Sequence, residues 1–396
     1  MDAFYASVEL LRYPSLRGLP VVVGGRRRQP SDSAEAIAPE QLPRLRDYAG
    51  RGVITTATYE ARAFGVHSGM GLMKAANLCP DALLLPADFE EYRRMSRMFK
   101  AAVAEIAPVI EDRGIDEIYI DLSECPGIEQ DGGLALGMTI KERIRQRCGL
   151  SCSIGITPNK LLSKIASELD KPDGLTILRF DEIGERIWPL PARRINGIGP
   201  KASAKLEALG IHTIGELAAA DREALIEQFG KSYGAWLHDA AHGRDDRPVV
   251  TFSEPRSISR ETTFERDLHA RRDREQLSAI FTDLCERVAQ DLQRKGYLGR
   301  TIGIKLRFED FNTVTRDHTL EEATADAGTI RAAAGQCLKR VTLTKKLRLL
   351  GVRIGSLERA SDPSRPALVA REPDVSAYAE ADQLPLFDPL AEDDDP

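Results

Sequence analysis

Between Val109 and Leu122 the chain reads Val-Ile-Glu-Asp-Arg-Gly-Ile-Asp-Glu-Ile-Tyr-Ile-Asp-Leu, and no other stretch limits the possible folds as much. Ile118, Ile120 and Leu122 alternate with Tyr119 and Asp121, the period of a strand with one face in a core. Val109 to Glu111 reads as a second short strand, with Gly114 supplying a turn. Asp116 and Glu117 then stand side by side at a strand edge, which is costly unless a cation neutralises them. Hard, closely set oxygens suit Mg²⁺, generally together with a phosphate-bearing substrate. A solvated hairpin tip accounts for the same residues if this stretch is taken alone.

The flanks interleave strands with helices. Helical patterns are expected at Ala3–Arg12, Phe89–Ile106, Leu134–Arg147 and Asn159–Leu169, and strands at Leu19–Gly24, Val53–Thr56, Ser151–Ile154 and Leu175–Leu178. That alternation predicts an α/β or α+β sheet domain of about 185 residues. Residues 26 to 51 are polar with weak periodicity and read as an insertion. Residues 186 to 248 read as a helical unit with a Gly-x-Gly turn, closed by the linker Asp246–Val250. From Thr251 to Leu357 the order strand, helix, strand, strand, helix, strand is expected, and after Glu358 an acidic, disordered tail.

The net charge of −6 argues against a nucleic-acid partner only until it is divided. Residues 359 to 396 hold three basic and ten acidic residues, a balance of −7, so the remaining body carries +1. A local basic face, not whole-chain charge, is what meets phosphates. No apolar run approaches the roughly 18 residues needed to span a bilayer, and the start lacks the basic region of a secretory signal. The six cysteines are scattered without zinc spacing, so reduced thiols and a cytoplasmic location are expected.

Two further segments carry phosphate donors. Thr55-Thr56-Ala57-Thr58-Tyr59-Glu60-Ala61-Arg62 places a hydroxyl, a phenol and a guanidinium at a strand-to-helix transition, although taken alone it is better explained as an ordinary N-cap with an exposed arginine. Gly155-Ile156-Thr157-Pro158-Asn159-Lys160, Lys164 and Lys171-Pro172-Asp173-Gly174 set three lysines along one path, with Thr157 expected to cap the helix. Capping accounts for the turn residues but not for the lysines.

Together these segments resemble the Y-family translesion DNA polymerases. Tyr59-Glu60-Ala61-Arg62-Ala63-Phe64-Gly65-Val66, Ile115 to Asp121, and Gly155 to Gly174 are similar to that family's signatures in family order, and Met1-Asp2-Ala3-Phe4-Tyr5-Ala6-Ser7-Val8-Glu9 to its first motif. The resemblance covers residues 1 to about 358, and its nearest branch is bacterial DNA polymerase IV. It implies an α+β multidomain, right-hand polymerase: palm (1–17 and 77–185), fingers (18–76), helix-hairpin-helix thumb (186–248) and βαββαβ little finger (251–358), expected as a monomer. By the same resemblance Asp116 and Glu117 are catalytic and bind two Mg²⁺ ions. Thr56, Tyr59, Arg62 and Lys171 hold the incoming dNTP, and Tyr5 is the steric gate against a ribose 2′ hydroxyl.

The family's first motif reads Asp-x-Asp-x-Phe-aromatic, and its first aspartate is a metal ligand. Here Asp2 matches the second aspartate, so a further Asp is expected before Met1, at the end of a short apolar strand. The 26–51 insertion is a second departure. Ile195-Asn196-Gly197-Ile198-Gly199-Pro200-Lys201 reads as a helix-hairpin-helix turn, where Gly197, Gly199 and Lys201 meet a DNA phosphate. Arg256, Arg260, Arg300 and Arg307 are candidate DNA contacts of the little finger. In the tail, Gln383, Leu384, Leu386 and Phe387 resemble the peptide by which bacterial polymerases dock on the sliding β-clamp. Two other readings compete. A non-catalytic adaptor of the same family is expected to lose the Asp-Glu pair and the triphosphate donors. A helix-hairpin-helix nuclease leaves Tyr59, Arg62 and Lys171 unexplained.

Overall fold

The structure is a computed structural model that describes residues 1–27 and 38–360. It divides into two compact units that part between Phe252 and Ser253.

The first unit opens with α1 (Phe4–Arg12) and β1 (Val21–Arg27). β1 is the middle strand of a three-stranded sheet, antiparallel to β2 (Ile54–Ala57). The short helices α2 (Tyr59–Arg62) and α3 (Leu72–Leu78) lead to β3 (Leu83–Ala87), which pairs with β1 in parallel. Both faces of this sheet are covered, which explains the unbroken valine run. Val21 and Val23 join Leu83, Leu85, Phe4 and Phe99 in one core, while Val22 and Leu84 join Leu45, Ile54 and Leu72 in another. β3 was not anticipated from sequence. Its Leu83-Leu84-Leu85 run is too short to separate strand from helix by period, and its strand partner lies about 60 residues away.

After α4 (Phe89–Ala104), capped by Asp88, come β4 (Ile110–Asp112) and β5 (Ile118–Ile120), an antiparallel pair in register Ile110↔Ile120. Next follow α5 (Ile128–Asp131), α6 (Leu134–Cys148), β6 (Ile154–Ile156), α7 (Lys160–Ala166) and β7 (Leu175–Ile177), with β6 and β7 parallel. β6 begins where the expected strand ended. α7 is capped by Asn159, whose side chain accepts the Leu162 N–H at 3.0 Å, so Thr157 is not the cap; its hydroxyl donates to the Asn159 carbonyl instead.

Among the described residues β5 bonds only to β4 and β6 only to β7. A cavity of about 610 Å³ lies along both unpaired edges, lined by Ile118, Ile120, Ile154 and Ile156 with Phe99, Ile140 and Ile144. All four strand isoleucines are half-buried. Apolar strand side chains left partly open beside unpaired backbone line a slot between the two strand pairs.

α8 (Ile183–Arg186), α9 (Pro200–Ala208), α10 (Ile214–Ala219), α11 (Arg222–Phe229) and α12 (Lys231–Ala241) pack around a core of Ile195, Leu206, Leu217 and Leu237 that also takes in Leu161, Leu162 and Ile165 of α7. Beyond α12 the chain returns to β4. Lys160, 8% exposed, donates to Glu111 at 2.6 Å and to the Pro248 carbonyl at 2.7 Å, and Glu111 also accepts the Val250 N–H at 2.9 Å.

The second unit runs β8 (Ser257–Leu268), α13 (Arg274–Lys295), β9 (Tyr297–Phe308), β10 (Thr313–Thr324), α14 (Ala327–Lys339), β11 (Leu347–Arg359), the order read from the sequence. Its antiparallel sheet has the order β10-β9-β11-β8. Ile302, Ile304, Leu306, Val352 and Ile354 pack with Phe281, Leu284 and Val288 of α13 and with Ile330 and Ala334 of α14. Alternation sends Ser257, Ser259, Glu261, Thr301, Gly303, Lys305, Thr315 and Asp317 to the opposite face.

Candidate active site and nucleic-acid interface

Asp116 and Glu117 lie in the bend that leads into β5, not within the strand. The Arg113 N–H bonds to the Glu117 carbonyl at 3.1 Å and closes the turn. Lys100, buried on α4, braces it by donating to Asp112 at 2.7 Å and to the Gly114 carbonyl at 2.8 Å. Burial pulls the Lys100 ammonium below its ordinary pKa despite its bond to Asp112. The Met1 ammonium donates to the Asp116 carbonyl at 2.8 Å. Glu117 is exposed and takes a short hydrogen bond from Lys164 of α7. Burial acts most strongly on the Lys164 ammonium and against it, but the bond to Glu117 and the charges of Glu117 and Glu168 together outweigh it, and its pKa stands above the ordinary value.

Asp116 also borders a pocket of about 270 Å³ that it shares with Tyr5, Thr56, Tyr59, Arg62 and Lys171. Four stretches of sequence thus converge on one space. Thr58 caps α2, accepting the Ala61 N–H, and its hydroxyl donates to the Leu19 carbonyl, which fixes α2 against the start of β1. Arg62 is steered by a bond from Nε to the Ala57 carbonyl at 3.0 Å and lies 5.0 Å over the Tyr59 ring. The Tyr59 phenol is raised in pKa, first by burial and then by the charges of Asp2 and Glu168. Lys171 donates to Glu168 at 2.6 Å, and Lys164 reaches the same carboxylate at 3.5 Å. The sequence had singled out Lys164 and Lys171, but not Glu168; its only signal is the spacing of four and three residues from those lysines on a helical path.

Tyr5 forms one wall. Its ring stacks on Tyr92 with centroids 4.3 Å apart and meets Phe89 edge-on at 6.0 Å. The Tyr92 hydroxyl donates to buried Glu9 at 2.5 Å. Burial, then the charge of Asp116, raises the Tyr5 phenol above its ordinary pKa.

Asp2 is 2% exposed. Its two oxygens accept the Ser153 hydroxyl at 2.7 Å and the Asp173 N–H at 2.9 Å, so its carboxylate is committed to the turn around Asp173 and not to Asp116. Among the described residues no three His, Cys, Asp or Glu side chains form a group able to hold a metal.

In the helical unit Gly197 has φ +117°, and a Cβ there would meet the Trp236 ring at 2.6 Å, so glycine is required on two grounds. Gly199 begins α9 with Pro200 at its first position, and Lys201 is exposed on that first turn. In the second unit Arg256 and Arg300 are exposed, and Arg307 donates to Thr313 at 3.1 Å. Arg260 differs. It forms a two-bond ion pair with Asp291 of α13 at 2.6 and 2.8 Å, on the helix side of the sheet. That guanidinium serves packing between strand and helix and is poorly placed for a phosphate. On the open face Lys305 pairs with Glu261 and Arg353 with Asp317, each at 2.8 Å. Gln383, Leu384, Leu386 and Phe387 lie outside the described residues. No helix among the described residues is long and apolar enough to cross a membrane.

Residues 1–168 match the impB/mucB/samB family, residues 255–366 that family's C-terminal domain, and residues 193–245 the DNA polymerase-iota thumb domain. The chain is 40% identical over 358 residues to DNA polymerase IV of Methanoculleus marisnigri, covering 90% of this chain and 93% of that one. It is 37% identical over 360 residues to DNA polymerase IV of Alkalilimnicola ehrlichii, again with 90% and 93% covered. Among solved structures, a Y-family polymerase chimera of Dbh and Dpo4 superposes with a TM-score of 0.74 at 24% identity, over 90% of this chain and 96% of that one. DinB from Sulfolobus solfataricus gives 0.58 at 24% identity, over 89% and 96%. Similarity of this extent across both units, with the signature residues gathered around one pocket, places the chain in the Y family of DNA-directed DNA polymerases, beside the DNA polymerase IV proteins.

Proposed function

We propose that this chain copies damaged templates at low fidelity, joining dNTPs to a primer 3′ end with two Mg²⁺ ions at Asp116 and Glu117. The observation that carries the reading is the single pocket shared by Asp116, Tyr5, Thr56, Tyr59, Arg62 and Lys171. Four donors of the types that hold phosphate oxygens face one acidic residue across a space bounded by an aromatic ring. In the transfer, the primer 3′ oxygen bonds to the α-phosphorus, the bond to the bridging oxygen breaks, and pyrophosphate leaves. Thr56, Tyr59, Arg62 and Lys171 hold the triphosphate in line, with Lys171 exchanging Glu168 for phosphate. Tyr5 closes the space beside C2′ of the sugar.

Bound Mg²⁺ supplies charge neutralisation and lowers the pKa of the attacking hydroxyl. Asp116 and Glu117 are the hard oxygen donors that would hold such ions, although among the described residues no third side chain joins them in a metal-binding group.

Gly197, Gly199 and Lys201 are proposed to grip a DNA phosphate, and Arg256, Arg300 and Arg307 the duplex backbone. The segment Gln383–Phe387 is proposed to dock on a sliding clamp; deleting residues 380–396 should then remove clamp stimulation and spare basal synthesis. The principal test is Asp116→Ala in primer extension. Incorporation should fall by roughly 10²–10³-fold, the scale of losing one directly acting electrostatic group, while primer–template affinity is kept. Extension at the unmodified rate would refute the assignment.

A further inference from the structure

Lys171, Pro172, Asp173 and Gly174 join α7 to β7 without regular structure of their own. Asp173 has φ +58°, the left-handed region that residues other than glycine enter at some cost. A buried polar cluster beneath the turn holds it. Lys141 projects from α6 with its side chain 8% exposed. Its ammonium donates at 2.7 Å to the Cys152 carbonyl, the Asp173 carbonyl and the Asp173 carboxylate, with the Gly174 carbonyl at 3.2 Å. Asp2 holds the other side by accepting the Asp173 N–H, while its second oxygen takes the Ser153 hydroxyl. Ser153 Oγ in turn accepts the Gly174 N–H at 3.3 Å. From the surface, Arg145 adds a bond to the Asp173 carboxylate at 2.7 Å.

A buried ammonium is expensive to desolvate, but an apolar side chain in its place would leave the oxygens gathered around it without partners. What the ammonium adds is direction. Four oxygens from two chain segments are gathered around one point, which sets where the turn lies and hence where Lys171 begins. We propose that Lys141, together with Asp2, is a positioning residue for nucleotide binding, holding the turn so that the Lys171 ammonium projects into the pocket beside Tyr5, Arg62 and Asp116. This rests on the reading that Lys171 contacts the triphosphate. Lys141 itself lies beneath the turn and acts through Lys171.

The test is a double-mutant cycle on the full chain bound to primer–template. The affinity for the next correct dNTP is read by equilibrium titration, alongside KM and kcat. Lys141→Gln should weaken dNTP affinity roughly tenfold, the order expected from losing one charged hydrogen bond to the ligand, with kcat at saturation changed much less. Lys141→Arg should recover most of the loss. Adding Lys141→Gln to Lys171→Ala should weaken dNTP affinity no further, because both changes remove the same contact. Losses that multiply in the double variant, or an unchanged affinity in Lys141→Gln, would overturn the proposal. Should Lys171→Ala alone leave dNTP affinity unchanged, the triphosphate reading of Lys171 fails, and this inference with it. If Lys141→Gln does not fold, the same cycle with Asp2→Asn decides the matter on the same criteria.

Discussion

Tyr5 has little freedom to yield. Stacked on Tyr92, with Phe89 at its edge and the Tyr92 hydroxyl tied to Glu9, the ring is backed by side chains that are themselves held. A wall of that kind excludes an added hydroxyl by overlap. Tyr5→Ala should therefore lower the preference for dNTP over rNTP by roughly 10–200-fold, the range open to steric pocket discrimination; an unchanged ratio in single-nucleotide incorporation would rule out the gate. Glu111 invites a test of another kind. Burial raises its pKa, but the Lys160 bond and the Val250 N–H outweigh burial and hold it below the ordinary carboxylate value. Its folded pKa is thus below its unfolded one, so its contribution is present above the unfolded value and is lost as pH falls through the folded value. Glu111→Gln should make the fall in Tm with acid shallower below about pH 4.5 and lower Tm at pH 7. Parallel curves for the two proteins would show the pair to be inert. The pocket residues were legible because each sits in a short local signature. Glu111–Lys160, Lys141–Asp173 and Asp2–Asp173 were not, since partners 49, 32 and 171 residues apart leave no local pattern.

The hairpin β4–β5 and the parallel pair β6–β7 are each too short to be stable as isolated ladders, and both lean on the core of α4 and α6. The slot between them is the weak point of the first unit. A short apolar strand ending in Asp, fused ahead of Met1, should pair with both edges and cover the four isoleucines. Roughly 1–2 kcal/mol of added pairing and burial would raise Tm by about 3–6 °C, and Mg²⁺ should bind more tightly. A version of the same strand with alternate residues changed to Lys should do neither; equal gains from both strands would show that the slot takes no strand. At this scale the amphipathic helices and the long strands of the second unit were readable from period alone. β3 and the start of β6 were not, because three-residue ladders rest on their neighbours, and those neighbours are distant in sequence.

Across the whole molecule, the two compact units part between Phe252 and Ser253, just beyond the Asp246–Val250 linker that the sequence displays. What sequence could not display is which cations are already spoken for. Arg260 is engaged by Asp291, and Lys305 and Arg353 by Glu261 and Asp317, so a count of basic residues overstates the charge on offer. The six cysteines raise a different matter. All are free and buried. Burial pushes Cys148 and Cys152 up to about 11 and Cys285 up to about 12, so the reactive thiolate is scarce at neutral pH. Five are distributed by core: Cys285 and Cys337 in the second unit, Cys148 and Cys152 beneath α4 and Cys79 behind the β1 sheet, with none in the core of the helical unit, while Cys125 lies outside these cores. For those five, alkylation must wait for the surrounding core to open. Mass-resolved labelling over time should separate into classes that follow these cores, and a primer–template duplex should slow the classes unequally. Buried thiols thus equip the chain with a built-in set of clocks, one for each core that holds a cysteine.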